Sequence, residues 1–117
     1  MKEGDVVLAA LPQADGKNKL RPVLFLLSMS PFNDLLACAI ISQTKHFCID
    51  LHEVIAPGDI DFSRSGLKTA SLIRGGLLAV LPGSKLKRSR GEVSVDRRNR
   101  LMTKLSLFLL PNTPNEP

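Results

Sequence analysis

The side chains best suited to chemistry in this sequence are two arginines that flank apolar runs. Arg21 stands directly before Pro22 at the start of one run, and Arg74 follows another. A guanidinium stays ionised at neutral pH, and its fork of N–H donors matches two oxygens of a phosphate group. Each arginine could therefore bind a phosphate, although an exposed arginine at a strand end is also an ordinary surface feature.

Polar side chains that could move protons follow an apolar run in the middle of the chain. Ser42 and Thr44 carry hydroxyls and flank Gln43, and His46 comes two residues later. An imidazole titrates near neutral pH, whereas the hydroxyl of Ser42 could equally cap a strand end. The second histidine, His52, is expected to face solvent from a strand. No ribonuclease-like arrangement links the two histidines, so a solvent-exposed His46 is favoured over a two-histidine mechanism.

Charge is unevenly divided along the chain. Residues 1–63 carry five basic and eight acidic side chains, whereas residues 64–104 carry eleven basic and two acidic ones. A basic half on a small domain indicates an anionic partner, most often nucleic acid; a solvated face rich in Lys and Arg is the alternative. The local groups of cations are Lys17 and Lys19 in an early loop, Lys85, Lys87, Arg88 and Arg90, and finally Arg97, Arg98 and Arg100, for which a solubility surface is favoured.

Length and composition exclude several classes of protein. The chain has 117 residues, 44% apolar and 23% charged, as expected of one soluble globular domain. The longest apolar run, at 35–41, is far too short to cross a membrane, and we expect no secretory signal. Cys38 and Cys48 form no CxxC pair, so we expect reduced thiols in a cytoplasmic protein. Motifs for metals, nucleotide cofactors and serine hydrolases are missing, so we expect no cofactor and no metal.

The pattern along the chain predicts strands first and a helix last, which favours a small α+β barrel. Strands are predicted at residues 5–10, 21–28, 36–42, 48–55, 70–74 and 77–81, with loops or turns at 11–20, 30–34, 43–47 and 57–66 and a short basic helical turn at 83–90. Gly75-Gly76 permits a bulge or tight bend. Ser94 is expected to cap a C-terminal amphipathic helix. The core stripe of that helix is predicted to be Leu101, Leu105, Phe108 and Leu109.

Three motifs, taken in order, resemble one known family. GDVVLAALPQADGKNKLRPVLFLL (4–27) holds a hydrophobic strand, a polar loop and an Arg-Pro pair. AIISQ (39–43) is similar to the family's third strand, and SGLKTASLIRGGLLAVL (65–81) is similar to its "GL…S.IR" stretch. Together with the final helix they resemble the MazF/PemK-like toxins of bacterial type II toxin–antitoxin systems. The resemblance covers residues 1–110 as a single domain, and residues 111–117 are expected to be a disordered tail.

The resemblance implies a fold, an activity and partners. The implied fold is an SH3-like β-barrel with a C-terminal helix, assembled as a homodimer. The implied activity is metal-independent cleavage of single-stranded RNA at short sequences. The implied partners are the RNA and a cognate antitoxin, and the toxin–antitoxin complex commonly represses its own operon at operator DNA.

The resemblance makes Arg21 the catalytic arginine. Ser42 is the candidate for a partner that handles or positions a proton, unless the register of the strand differs from that of the family. The family's catalytic threonine would stand at Ile41, and an acidic residue of some members would stand at Gly76. Both departures support the alternative, a weak or inactive nucleic-acid- or antitoxin-binding module. Neighbouring residues of a strand face opposite sides. The Ser42 side chain can therefore take the place of a threonine at position 41 only if the strand is irregular there. The RNA-binding candidates are Lys17, Lys19, Gln43, Thr44, His46 and Arg74.

Overall fold

The computed structural model describes residues 1–12, 14–29, 31–42 and 44–111, and for His46 the backbone alone. In this part of the chain six strands precede a C-terminal helix. The strands are β1 (Asp5–Pro12), β2 (Asn18–Met29), β3 (Asp34–Ile41), β4 (His52–Ile55), β5 (Ser71–Pro82) and β6 (Leu86–Glu92). The helices are the four-residue α1 (Phe62–Ser65) and the 15-residue α2 (Val95–Leu109). Of the tail predicted at 111–117, residues 112–117 lie outside the described part.

The strands form one antiparallel sheet in the order β4-β5-β3-β2-β1-β6. β4 and β6 are its edges, and no hydrogen-bonded pairing joins them among the described residues. The expected closed barrel is therefore not confirmed. The chain that follows β4 nevertheless reaches β6, because α1 packs against that strand. The contact is backbone to backbone: a Cβ on Gly91 of β6 would overlap the carbonyl oxygen of Arg64.

Side chains that alternate along each strand build one hydrophobic cluster on each face of the sheet. On the face covered by α2, Leu24 and Leu26 of β2 belong to the same cluster as Leu101. On the opposite face, Val23 and Phe25 of the same strand belong to the second cluster. β2 is thus apolar on both faces and central, between β1 and β3, as the sequence predicts.

The two strands predicted at 70–74 and 77–81 are one strand, β5, with an irregularity in the middle. Its register against β3 shifts between Arg74 and Leu78, so the predicted bulge is confirmed although the predicted break is not. The glycines are needed because Leu51 lies against them. A Cβ on Gly75 would lie 2.5 Å from the backbone oxygen of Leu51, and one on Gly76 would lie 3.1 Å from its side chain.

Three other predictions need correction. Residues 83–90 hold a single 3-10 turn (Gly83–Lys85) and then most of β6, because the edge of β1 offers backbone hydrogen bonds to a segment that has no apolar helical stripe. Of the strand predicted at 48–55, only the last four residues are extended. The loop between β1 and β2 is shorter than predicted, since pairing continues to Pro12 and Asn18.

The two cysteines are free thiols in different surroundings. Cys38 lies in the cluster under α2, where burial raises the pKa of its thiol to about 12 and leaves it a poor nucleophile. Cys48 is exposed in the segment before β4.

Helix α2 begins where predicted, because the Ser94 hydroxyl accepts a hydrogen bond from the Arg97 N–H at 3.1 Å. Leu101 and Leu105 are buried as expected, whereas Phe108 and Leu109 are 62% and 65% exposed. The buried face runs in steps of four from Arg97 to Leu105 and ends one turn before the helix does. Within the described residues, no helix is long and apolar enough to span a membrane.

Arg97, expected on a solubility surface, is instead a buried cation at the start of that face. A guanidinium has five N–H groups, and here five acceptor contacts receive them. Asp61 accepts two at 2.8 and 3.1 Å, Asp59 and Glu53 each accept one at 3.1 Å, and the Val54 carbonyl accepts one at 2.9 Å. We call this set of contacts the Arg97 network. It joins β4, the start of α1 and the start of α2.

Asp61 is the fully buried carboxylate of the Arg97 network. Burial alone would raise the pKa of this carboxyl. Hydrogen bonds from the Arg97 guanidinium and from the Ser94 N–H, the latter at 2.9 Å, outweigh burial and hold the pKa at about 2. The carboxylate is therefore ionised in the folded protein, and folding stability is linked to that ionisation.

Replacing Arg97 with Met is expected to lower the free energy of unfolding by about 3–5 kcal/mol, because the Asp61 charge would be left buried without its partner. Urea unfolding followed by circular dichroism measures this. The matched control is Arg100→Met, which removes a half-exposed arginine bonded to Glu53 at 3.0 Å. An exposed pair of this kind is worth no more than about 1 kcal/mol. Equal decreases in the free energy of unfolding of the two variants would contradict the view that the Arg97 network contributes more to stability than an exposed ion pair.

Stability is expected to fall in acid because of Asp61. Its pKa is about 2 in the folded protein, against the ordinary value of 3.8 for an aspartate side chain. Its contribution, about 2 kcal/mol, is fully present above pH 4 and disappears as the pH falls through 2. Urea unfolding between pH 7 and pH 2 measures the slope. In Asp61→Asn the slope between pH 4 and pH 2 should be shallower, and an unchanged slope would contradict this assignment.

Candidate functional site

A cleft of about 640 Å³ opens at one end of the sheet. Antiparallel pairing brings the end of β1, the start of β2 and the end of β3 to this same end. We call those strand ends the first wall of the cleft, and we call its remaining lining residues, 67–69 with Ser71 and Arg90, the second wall. The site is therefore built from segments that lie far apart in the sequence.

Arg21 and Ser42, the two residues predicted to be catalytic, both line the first wall. Arg21 is exposed and lies across from Ala9 in the β1–β2 pairing. β3 ends at Ile41, so Ser42 lies beyond the strand and strand alternation no longer fixes its direction. Ile41 lines the cleft as well. The first wall thus holds an arginine and a hydroxyl beside an apolar side chain.

The second wall holds functional candidates that the sequence did not assign to a site. Lys68 and Thr69 are exposed there, and the Ser71 hydroxyl donates to the Thr69 carbonyl at 2.9 Å. Arg90 of β6 donates from Nη2 to the Gly66 carbonyl at 3.0 Å. Arg90 belongs to the basic run at 85–90, and the structure divides that run. Lys85, Lys87 and Arg88 do not line the cleft.

The cleft is lined by three cations, whereas the cations of α2 pair with carboxylates of this chain. Arg21, Lys68 and Arg90 line it, and no carboxylate is among its described lining residues. The cations of α2, in contrast, are neutralised by carboxylates within 3.1 Å. These pairs are Arg97 with Glu53, Asp59 and Asp61, Arg98 with Glu3, Arg100 with Glu53, and Lys104 with Glu53. A phosphate group is the ligand that such a cleft suits best.

Most of the predicted RNA-binding residues lie outside the lining of this cleft. Lys17 and Lys19 are exposed at the β1–β2 turn, where the Lys17 N–H donates to Asp15 at 2.9 Å. Thr44 begins a 3-10 turn after β3. Gln43 lies outside the described residues, and so does the side chain of His46.

Arg74 lies on β5, two strands away from Arg21. Val23 pairs with Ala39, and Ala39 pairs with Arg74, so these residues form one row across the sheet. Arg21 stands two positions before Val23 and therefore lies on the same face. The Nε atom of Arg74 is buried and has no hydrogen-bond partner among the described residues. Beside it, His52 is buried rather than solvent-facing, and its Nδ1 accepts the Cys48 N–H at 3.0 Å.

A metal site requires several donor side chains close together. No group of three or more His, Cys, Asp or Glu side chains stands together within the part of the chain described. Gly76 lies against the side chain of Leu51, so a larger residue there would have to displace Leu51.

The fold is similar to those of solved mycobacterial proteins. A mycobacterial endoribonuclease solved in complex with its cognate antitoxin is 20% identical, with a TM-score of 0.68, covering 97% of this chain and 99% of that chain. The Mycobacterium tuberculosis toxin MazF-mt6 is 18% identical, with a TM-score of 0.67, covering 92% and 99%. Another mycobacterial endoribonuclease is 19% identical, with a TM-score of 0.67, covering 97% and 95%. At these identities the likeness shows the fold.

The family follows from the sequence match. Residues 2–109 match the family model described as the PemK-like, MazF-like toxin of type II toxin-antitoxin systems. The chain belongs to this family, and the resemblance found in its motifs is confirmed. A comparison with curated proteins gave no match.

Gly66→Ala is expected to displace the second wall. Gly66 has φ 74°, and a Cβ there would overlap the carbonyl oxygen of Arg90. Gly58→Ala is the matched control, since Gly58 has φ 101° but no atom lies within 4 Å of its Cβ position. Both variants strain the backbone, and the overlap should cost Gly66→Ala about 1–3 kcal/mol more. Urea unfolding measures the difference, and equal destabilisation would show that the close approach does not hold the wall.

Proposed function

We propose that this protein is the toxin of a type II toxin–antitoxin system and acts as a metal-independent endoribonuclease on single-stranded RNA. The observation that carries the proposal is the cleft, whose described lining residues include the cations Arg21, Lys68 and Arg90 together with hydroxyls but no carboxylate. Membership of the toxin family supports it, and so do two structural neighbours that are endoribonucleases.

The proposed reaction uses the ribose 2′-hydroxyl as the nucleophile. Its oxygen forms a bond to phosphorus as its proton leaves, and the bond from phosphorus to the 5′-oxygen breaks as that oxygen gains a proton. The products are a 2′,3′-cyclic phosphate and a 5′-hydroxyl. Such a step requires proton transfer at both oxygens and a fixed positive charge for the phosphorane.

In this proposal Arg21 supplies the fixed positive charge. Its fork can hold two phosphate oxygens at once and remains charged throughout the reaction. Ser42 lines the same wall and is the hydroxyl that we propose to position or relay a proton. The other proposed RNA-binding residues are Lys17, Lys19, Gln43, Thr44, His46 and Arg74.

The proposal extends to partners and location. We propose a homodimer in the cytoplasm, neutralised by a cognate antitoxin, with operator DNA bound through the toxin–antitoxin complex. One structural neighbour was solved with its cognate antitoxin, which supports this setting. Light scattering of the purified protein measures whether its mass is that of a dimer.

A binding module without catalysis is the second candidate, and it is less well supported. Ile41 lines the cleft where the family has a threonine, and Gly76 replaces an acid of some members. Neither residue removes Arg21 or the cationic surroundings of the cleft. Both departures would leave RNA binding intact, so cleavage itself has to be measured.

Incubation of the protein with a long single-stranded RNA in EDTA is expected to give discrete fragments with cyclic phosphate ends. Arg21→Ala should reduce the rate by about 10²–10³-fold, as the removal of one donor to a developing anion does. Arg21→Lys should recover only part of the rate, because it keeps the charge but not the fork. Fragment sequencing and end-group analysis measure these outcomes.

Arg88→Ala is the matched control for Arg21→Ala. Arg88 is an exposed arginine on β6 that does not line the cleft, so its removal should leave the rate unchanged. Folded wild-type protein that binds RNA but does not cleave it would contradict the nuclease proposal and favour the binding module.

A further inference from the structure

We propose that Lys68 and Arg90 form a second phosphate-binding subsite, which holds the RNA phosphate next to the one at Arg21. The inference rests on the proposed function in taking RNA as the ligand. Both residues line the second wall of the cleft, whereas Arg21 belongs to the first wall. A chain that lies along the cleft would therefore meet cations on two walls in succession.

Arg90 is held in place, and no carboxylate of the described residues neutralises it. Its Nη2 donates to the Gly66 carbonyl at 3.0 Å, and this is its one side-chain hydrogen bond among the described residues. None of the ion pairs in that part of the chain involves Arg90. A guanidinium has five N–H groups, so most of the donors of Arg90 are left for a ligand. A fixed, charged, half-buried guanidinium is preorganised to bind phosphate.

Lys68 is carried by a segment that is anchored on both sides. Leu67 packs against the core cluster under α2, and its N–H donates to the Ser65 hydroxyl at 3.2 Å. On the other side, Ser71 is buried and bonded to the Thr69 carbonyl. The Lys68 ammonium itself is exposed and takes part in no ion pair within the described residues. Lys68 can therefore add a mobile charge beside the fixed one of Arg90.

Two observations together point to a ligand for these charges: they differ from the cations of α2 in lacking carboxylate partners among the described residues, and they differ from Lys87 and Arg88 in lining a cleft. Four cations of that helix meet carboxylates of this chain, and one of them, Arg97, is buried by doing so. The second wall carries cations as well, yet no carboxylate is among the described residues that line the cleft beside them. An anionic ligand would neutralise these cations as the carboxylates neutralise those of α2. Phosphate contacts of this kind fix the position of a nucleic acid without reading its sequence.

The test measures binding to a mixed-sequence RNA oligonucleotide that is 2′-O-methylated throughout, so that cleavage is blocked. Affinity is determined by fluorescence anisotropy over a series of salt concentrations. For single-stranded nucleic acid, the slope of log affinity against log salt falls by about 0.7 for each phosphate group that the protein no longer neutralises. The double variant Lys68→Gln/Arg90→Gln should therefore bind more weakly, with a slope reduced by about 1.4.

The matched control is Lys87→Gln/Arg88→Gln, which removes two exposed cations of the same basic run that do not line the cleft. Its slope should equal that of the wild type. Because Arg90 also bonds Gly66, Lys68→Gln alone serves as the variant that leaves every described hydrogen bond in place, and its slope should fall by about 0.7.

An unchanged slope in Lys68→Gln and in the double variant would overturn the subsite. Equal reductions in the cleft variant and the control would also overturn it, since they would show diffuse surface attraction. If unmethylated RNA is bound but never cleaved, and the slope still depends on Lys68 and Arg90, the subsite stands and the nuclease proposal alone fails.

Discussion

The Arg97 network is the interaction on which the rest of the structure depends. A guanidinium with all five N–H groups bonded is buried against Asp61, a carboxylate with no exposed surface. Neither charge could be buried alone, because an isolated charge in an apolar interior is prohibitively costly. The pair therefore forces β4, the start of α1 and the start of α2 to one place. Gly66 comes five residues after Asp61 and directly before residues 67–69 of the second wall.

This arrangement explains how an open sheet supports a site at its end. β4 and β6 do not pair among the described residues, so backbone hydrogen bonds between strands cannot fix their separation. The separation is fixed by α1, whose start is held by Asp61 and whose end meets β6 at Gly66 and Gly91. Only glycine permits so close an approach of two backbones. The position of the second wall is thus set by buried charge at one end of α1 and by the absence of a side chain at the other.

The sequence predicts those parts of the fold that depend on local pattern. The apolar runs of β1, β2 and β3, the bulge at Gly75-Gly76 and the Ser94 cap all follow from spacing and residue type, and each is present. β6 escapes prediction because it owes its strand conformation to the free edge of β1, which lies far away in the sequence. Phe108 and Leu109 have the right spacing for a core stripe, but the spacing does not show where the core ends.

The limit of prediction from the sequence is clearest for the charged residues. Composition separates a basic half from an acidic half but does not show which cations are neutralised, because the partners of Arg97 and Arg98 lie 36 to 95 residues away. The sequence can predict that Arg21 and Ser42 lie close together. Arg21 is at the start of one predicted strand and Ser42 at the end of the next, and antiparallel pairing brings these two ends together. The sequence cannot predict that Lys68 and Arg90 lie close together, because the second wall depends on the Arg97 network and on Gly66.

The composition of the cleft bears on what kind of catalyst it can be. Its described lining residues include cations and hydroxyls, but neither a carboxylate nor an imidazole. Ile41 adds an apolar side chain where a hydroxyl would otherwise be expected from the family. Electrostatic stabilisation of a developing anion is usually the largest single contribution to catalysis, and it requires only that the charges be held where the phosphorane forms. A site with fixed guanidinium groups keeps that contribution even when its means of moving protons are reduced, which is why the replacement of one hydroxyl does not by itself argue against cleavage.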